Sequence, residues 1–303
     1  MWETKNGENN QKMIIGKNKE LVIDNIKKNV MEGKFNEKVE VDDPDLTLEE
    51  QQKIIKKFLR IRRHISYLWK NIIARGIVDN VARIINKRTE YEGLEIIKDI
   101  EGGAVVTSNH FNPIENTAVK MAVKKTGRGR LYIVSQTTNL AMKGWIGFLM
   151  KYTDIIPLCG KDKTYMSHEF MGMLKSKLTK KQWILIYPEQ EMWFNYRKPR
   201  PPKRGAYYYA AQCNVPVISF FIEIKELTEK ENDEFYQVKY IVHVLDPIYP
   251  DPDLSARENS RLMMQQDYKQ KVEAYEKVYG KKLTYEFSYD DIAGYIPKQK
   301  SVD

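Results

Sequence analysis

A histidine and a glutamate five positions apart, His110 and Glu115, flank an Asn-Pro break in the stretch T-S-N-H-F-N-P-I-E-N-T-A-V at residues 107–119. Residues five apart do not share a face within one helix. A loop His followed by a first-turn Glu can nevertheless fold back on each other, and Asn112-Pro113 supplies the bend. Pro is favoured at the first helical position, which makes Asn112 the N-cap and Glu115 the third helical residue. The positive end of a helix favours a carboxylate there, and a carboxylate beside an imidazole orients it and raises its basicity. A His so placed can deprotonate a hydroxyl for attack on an ester or thioester. The same residues also read as an ordinary capping box with no chemical duty, so the pair taken alone leaves both readings open.

Other reactive types are thinner. Glu189 follows the apolar run that ends at Tyr187-Pro188, and W-F-N-Y-R-K-P-R-P-P-K-R at residues 193–204 interleaves cations with aromatics. As a bare pattern, that suits a solvated loop or a nucleic-acid contact. His64, His168 and His243 read as structural or exposed, and Cys159 has no paired His to activate it. Two cysteines, Cys159 and Cys213, make neither a disulfide framework nor a metal-ligand spacing, and a reducing compartment fits best. His110 and Glu115 lack a third ligand at recognisable spacing, and G-R-G-R at residues 127–130 reads as a turn rather than a phosphate loop. No cofactor and no metal is expected.

The elements that must position His110 follow from the apolar pattern. Short runs at residues 104–107, 131–135, 155–158, 183–187 and 215–224 read as strands. Helical stretches at 113–125, 144–152, 165–178 and 205–212 alternate with them. The alternation predicts an α/β fold, a mostly parallel sheet flanked by helices. A further strand at 236–245, a helix at 255–279 and a tail of about twenty residues complete the reading. In such a sheet chemistry gathers where strands end and helices begin, which is where His110 falls.

Ahead of this region, the 303-residue chain carries its charge imbalance in one place. Between Lys53 and Arg88 there are eleven Lys and Arg against one acid, Asp79, a local net of +10 in a chain of net +9. Thr47 is a plausible N-cap, and Ile54, Phe58, Ile61, Ile65, Leu68 and Ile72 recur at helical spacing, with Gly76 expected to interrupt the helix before 77–87 resumes it. Three readings compete: a helix docked on the main domain with a solvated basic face, a basic amphipathic helix on an anionic membrane surface, or a nucleic-acid contact. No helix-turn-helix, zinc or RNA-binding signature accompanies the charge, so nucleic acid is not expected as a partner. No run approaches the roughly 18 apolar residues of a membrane span, and no secretory signal is recognised. Residues 1–46, with an apolar patch over 13–26, are expected to be partly helical and loosely attached. The expected division is residues 1–90, a helical membrane-associating region, and 91–303, the α/β domain with its C-terminal helix and tail.

The blocks around His110 resemble those of the glycerolipid (lysophospholipid) acyltransferase family over roughly residues 90–250. N-H-F-N-P-I-E resembles the family's N-H-x-x-x-x-D block, and G-F-L-M-K-Y-T-D-I-I-P-L at 147–158 its second. I-L-I-Y-P-E-Q-E at 184–191 is similar to the third, usually F-P-E-G-T, while K-R-G-A-Y at 203–207 and N-V-P-V-I at 214–218 match the final portion. Glu115 replaces the usual Asp, as in a related branch that acylates lipid A. Gln190, Glu191 and Met192 stand where Gly, Thr and an acceptor-binding Arg are usual, and Lys161 is the cation nearest the end of the second block.

The resemblance implies an acyltransferase that moves a fatty acyl group from a thioester donor, acyl-CoA or acyl-carrier protein, to a hydroxyl of a glycerol phosphate or lysophospholipid-type acceptor. It implies His110 as general base and Glu115 as its orienting carboxylate. Asn109, Lys161, Glu189, Arg200, Lys203 and Arg204 would contact substrate, with Arg197 and Lys198 close by. The implied setting is the cytoplasmic face of the cell membrane, peripherally bound. A lipid-binding protein that keeps the fold without the chemistry is the alternative.

Overall fold

The structure is a computed structural model that describes residues 18–41 and 46–297. Among these residues the chain begins with α1 (Lys19–Met31), α2 (Leu48–Arg62) and α3 (Ile65–Ile85). It continues through β1 (Glu90–Glu92), α4 (Glu95–Lys98), β2 (Ala104–Thr107), α5 (Glu115–Lys125), β3 (Leu131–Gln136), α6 (Thr137–Leu140), α7 (Gly144–Tyr152) and β4 (Ile155–Leu158). Then come α8 (Lys163–Tyr165), a π-helical turn (Met166–Phe170), α9 (Met171–Thr179), β5 (Trp183–Leu185), α10 (Gly205–Gln212), β6 (Val217–Lys230), β7 (Tyr236–Val244) and α11 (Ala256–Tyr279).

The strands form one seven-stranded sheet in the order β1-β7-β6-β2-β5-β3-β4. Every pair is parallel except β6 with β7, so the mostly parallel α/β sheet read from the apolar alternation is what the chain builds. Strand pleating divides β2 between two cores. Ala104 and Val106 join the cluster that α1 and α5 cover, and Val105 joins the cluster formed with α9, α10 and α11. Burial on both faces is why this strand reads as an unbroken apolar run. The chain leaves β2 toward β3 and β4, returns through β5 between β2 and β3, and crosses to β6 on the other side of β2. The carboxyl end of β2 is therefore flanked by strands reached in opposite directions, the crevice where open α/β sheets place ligands.

The basic helical region differs from the sequence reading in where it breaks. Thr47 caps α2 as expected, with a full capping box to Glu50. The helix then ends at Arg62, and His64 turns extended (φ −80°, ψ 141°). Gly76 lies within α3, with open space where a Cβ would stand. The Ile54-to-Ile72 row is consequently not one buried face: Phe58 is buried while Ile65, Leu68 and Ile72 turn to the outside. Gly76→Ala fits without strain and removes the entropy cost of an exposed helical Gly, so it is expected to raise the melting temperature by about 1–3 °C. A fall on differential scanning calorimetry would contradict an uninterrupted α3.

Two peripheral expectations are also corrected. The part of the 13–26 patch that lies in the described residues is not loosely attached: Val22, Ile23 and Ile26 of α1 are buried in the main core. Residues 13–17 lie outside the described residues. The described part of the C-terminal stretch, to residue 297, does not trail off as a tail either, since Ile292 and Ala293 are buried and backbone bridges join Tyr196 to Ile292 and Phe235 to Tyr295; residues 298–303 lie outside the described residues. Among the described residues no helix is long and apolar enough to cross a membrane.

Candidate active site

Three residues beyond β2 the His110 imidazole meets Glu115, with 2.6 Å between Nδ1 and Oε1. Glu115 is fully buried and His110 is 20% exposed at its side chain, so one partner is fixed in the interior and the other opens to the crevice. The helix start that brings them together differs in detail from a capping box. The Asn112 N–H donates to Glu115 Oε2 at 2.9 Å, but the Asn112 side chain accepts from the Ile114 N–H at 3.2 Å, and α5 begins at Glu115. Asn112 and Pro113 thus form a tight turn ahead of the helix and not its cap and first residue. The result is one carboxylate whose two oxygens hold the imidazole and the loop backbone. With Glu115 ionised, Nδ1 carries the proton and donates it to Oε1, which leaves the lone pair on Nε2 as the base.

Sequence reasoning missed Tyr187, whose ring stacks on the His110 imidazole with centroids 3.9 Å apart and planes 12° from parallel. Burial, then the nearby Glu115 carboxylate, pushes the Tyr187 phenol well above 10, so it stands as a neutral wall. Its position at the end of the β5 run, two residues before Glu189, is the signal that could have marked it.

The acidic and basic residues expected to contact substrate divide into two groups. Glu189, Arg200 and Asn109 are interior. Glu189 is 3% exposed, and Oε2 accepts from the His110 N–H at 3.2 Å and from Arg200 Nε at 3.1 Å. Arg200, 1% exposed, is a buried ion-pair partner of Glu189 and not an acceptor contact. Asn109 closes both backbone groups of Ile222, donating to its O at 3.0 Å and accepting from its N–H at 2.8 Å, which ties β2 to β6 and turns the amide away from the crevice. Arg197 and Lys198 are also used internally, in pairs with Glu226 and Asp291. Lys203 and Arg204 remain exposed at the start of α10, the Lys203 N–H anchored on Pro188 O at 2.7 Å. Lys161 is exposed past the end of β4, three strands from β2 and so about 14 Å across the sheet from the His110 loop.

The remaining reactive groups sit elsewhere. Cys159 is buried with its thiol directed at Gln51 Oε1 at 3.3 Å, and burial pushes that thiol up. His243 lies between Glu223 at 2.9 Å and Glu92 at 3.1 Å on the β1 edge of the sheet. Among the described residues no cluster of three or more His, Cys, Asp or Glu is arranged to hold a metal ion.

A partly exposed histidine whose Nδ1 is held by a buried carboxylate fits proton abstraction from a hydroxyl through its other ring nitrogen. The family model described as Acyltransferase matches residues 88–223, the span that contains His110, Glu115, Tyr187, Glu189, Lys203 and Arg204. Among solved structures, the 1-acyl-sn-glycerophosphate (LPA) acyltransferase PlsC from Thermotoga maritima is similar at 14% sequence identity, covering 77% of this chain and 97% of that chain with a TM-score of 0.48. No curated protein matches the sequence.

Proposed function

We propose, on the premise of the acyltransferase family model that matches residues 88–223, that the protein transfers a fatty acyl group from a thioester, acyl-CoA or acyl-carrier protein, to a hydroxyl of a lysophospholipid or glycerol phosphate-type acceptor. The observation that carries this reading is the His110 Nδ1 to Glu115 contact, 2.6 Å long, with Nε2 left as the base. His110 Nε2 takes the acceptor's hydroxyl proton as the oxygen attacks the thioester carbonyl carbon. Collapse of the tetrahedral intermediate breaks the C–S bond, and the imidazolium returns the proton to the departing thiolate. The products are one ester and one thiol. Glu115 stabilises the imidazolium in between. Lys203 and Arg204 supply charge for an acceptor phosphate or a donor phosphate, and Lys161 serves only a part of the substrate that extends along the sheet. Mass spectrometry of lipids after incubation with each thioester and a panel of lysophospholipids is the test. A new diacyl lipid is expected, and its absence with every pair would contradict the reading.

A lipid-binding protein without turnover is the second reading, favoured by the internal use of Arg197, Lys198 and Arg200, which leaves two loop cations for the acceptor. Lysophospholipid binding without any product would select it.

The same reading places the protein on the cytoplasmic membrane surface through α3. Its inner face packs Tyr67, Asn71, Ala74 and Ala82 on the domain, and its outer face exposes Ile65, Leu68, Trp69, Ile72, Ile73 and Ile84. The neighbouring α7 adds Trp145 and Ile146, 51% and 45% exposed. A contiguous apolar face of this size beside cations such as Arg63 and Lys70 suits an anionic bilayer. Replacing Trp69, Ile72 and Ile73 together by Glu removes about 1 kcal/mol or more of burial each, an expected loss of at least about 100-fold in vesicle partitioning. Co-sedimentation with phosphatidylglycerol vesicles measures it, and unchanged binding would exclude α3 as the contact.

A further inference from the structure

The loop that carries Glu189 is held by a part of the chain that precedes the family domain. Arg200 is the hub. Its Nη1 donates to Phe35 O at 2.9 Å and its Nη2 to His110 O at 3.2 Å, while Nη2 also contacts Glu191 O and Nε binds Glu189. Two neighbours of Phe35 repeat the grip. Asn36 Nδ2 donates to Glu189 O at 3.2 Å and to Pro201 O at 2.9 Å, and Glu37 O accepts from Trp193 Nε1 at 2.9 Å. The Trp193 ring lies against the Arg200 guanidinium, 4.6 Å from centroid to carbon, and the Trp193 N–H donates to the same His110 carbonyl at 3.1 Å.

The segment cannot drift, because it is anchored at both ends. α1 ahead of it is buried in the core through Val22, Ile23 and Ile26, and Lys19 pairs with Glu40 at 2.9 Å beyond it. A guanidinium offers a fixed fork of donors, so four acceptors arranged around it set the relative positions of the groups that own them. Those groups are the Phe35, His110 and Glu191 carbonyls and the Glu189 carboxylate. Leaving any one unpaired in the interior is costly, which makes the arrangement self-consistent and rigid.

We infer that residues 35–37 are a positioning element of the active site, acting through Arg200 and Trp193 to fix the His110 backbone so that the imidazole meets Glu115 and Tyr187 in one orientation. None of these groups touches substrate. Their effect on rate rests on the acyl-transfer reading; their effect on the rigidity of the His110 loop does not. Displacement of a catalytic group by even about 1 Å lowers rates by up to about 100-fold, so a loosened loop is felt in kcat before it is felt in binding.

The test compares the full chain with Trp193→Phe, which keeps an aromatic ring, though a smaller one, but loses the donor to Glu37, with Asn36→Ala and with Arg200→Lys. Amide hydrogen exchange is followed on peptides covering residues 107–113 and 189–197, alongside kcat and KM. Trp193→Phe, which loses one hydrogen bond, and Asn36→Ala, which loses two, are each expected to speed exchange in those peptides and to lower kcat by about 10-fold or more with KM within about twofold. Arg200→Lys keeps the charge but not the fork, and about 100-fold is expected. Unchanged exchange and kcat would overturn the inference. So would equal acceleration of exchange in β2, β3 and α5, which would mark a merely global loss of stability. If Arg200→Lys does not fold, the other two variants decide. If the wild-type chain transfers no acyl group, the proposed activity fails while the exchange result still decides the positioning role.

Discussion

Alanine at position 110 is expected to lower kcat for acyl transfer by about 1,000-fold, the middle of the range for loss of a general base. The size follows from what would remain. Without the imidazole nothing in the crevice takes the hydroxyl proton, since Glu115 is fully buried and Tyr187 is a phenol held neutral by burial. The fold should survive, because the His110 side chain is partly exposed. KM for the acceptor should change little, as the group acts on the reacting proton and not on the headgroup. Millimolar imidazole added to His110→Ala should recover part of the rate, because the side chain it replaces is partly exposed to solvent. A variant with unaltered kcat in a purified assay would remove His110 from the mechanism.

Glu115→Gln is expected to lower kcat by about 100- to 1,000-fold through the tautomer of His110. The carboxylate accepts on both oxygens, from Nδ1 at 2.6 Å and from the Asn112 N–H at 2.9 Å. A carboxamide has one acceptor oxygen and one donor nitrogen. If its oxygen keeps the Asn112 N–H, its NH2 group faces Nδ1 and forces the ring proton onto Nε2, the atom that must accept from substrate. If the amide turns over, the Asn112 N–H is left unpaired in a buried turn and the loop shifts. Either outcome costs rate. Glu115→Asp keeps two acceptors but withdraws them by a methylene, so it should lie between Glu115→Gln and wild type. The order of kcat values among the three proteins is the check, and equal rates for wild type and Glu115→Gln would contradict the assigned role.

Much of this was legible in the sequence. The sheet was, because β2, β5 and the first half of β6 are buried on both faces and appear as unbroken apolar runs between helical stretches. The approach of His110 to Glu115 was also legible, since a Pro two residues before a first-turn Glu forces the chain to turn there. The fates of the loop cations were not. Arg197, Lys198, Arg200, Lys203 and Arg204 look alike in the sequence, and what separates them is partners far along the chain, Glu226 for the first and Asp291 for the second. Helical periodicity failed at α3 for a different reason. The row from Ile54 to Ile72 keeps its spacing across the break at His64, but the change of direction there turns its second half outward. In α1 the signal was present in Val22, Ile23, Ile26 and Val30, which mark one apolar face, and the polar composition around them hid it.

The most direct measurement of the central claim follows thiol release and product together in a purified assay with acyl thioester and lysophospholipid. Direct attack by the acceptor hydroxyl predicts that thiol appears only when acceptor is present, one thiol for each diacyl lipid, with no acyl adduct on the intact protein by mass spectrometry, and that all of it falls about 1,000-fold in His110→Ala. Thiol release without acceptor accompanied by an acylated protein, or full activity in His110→Ala, would contradict it.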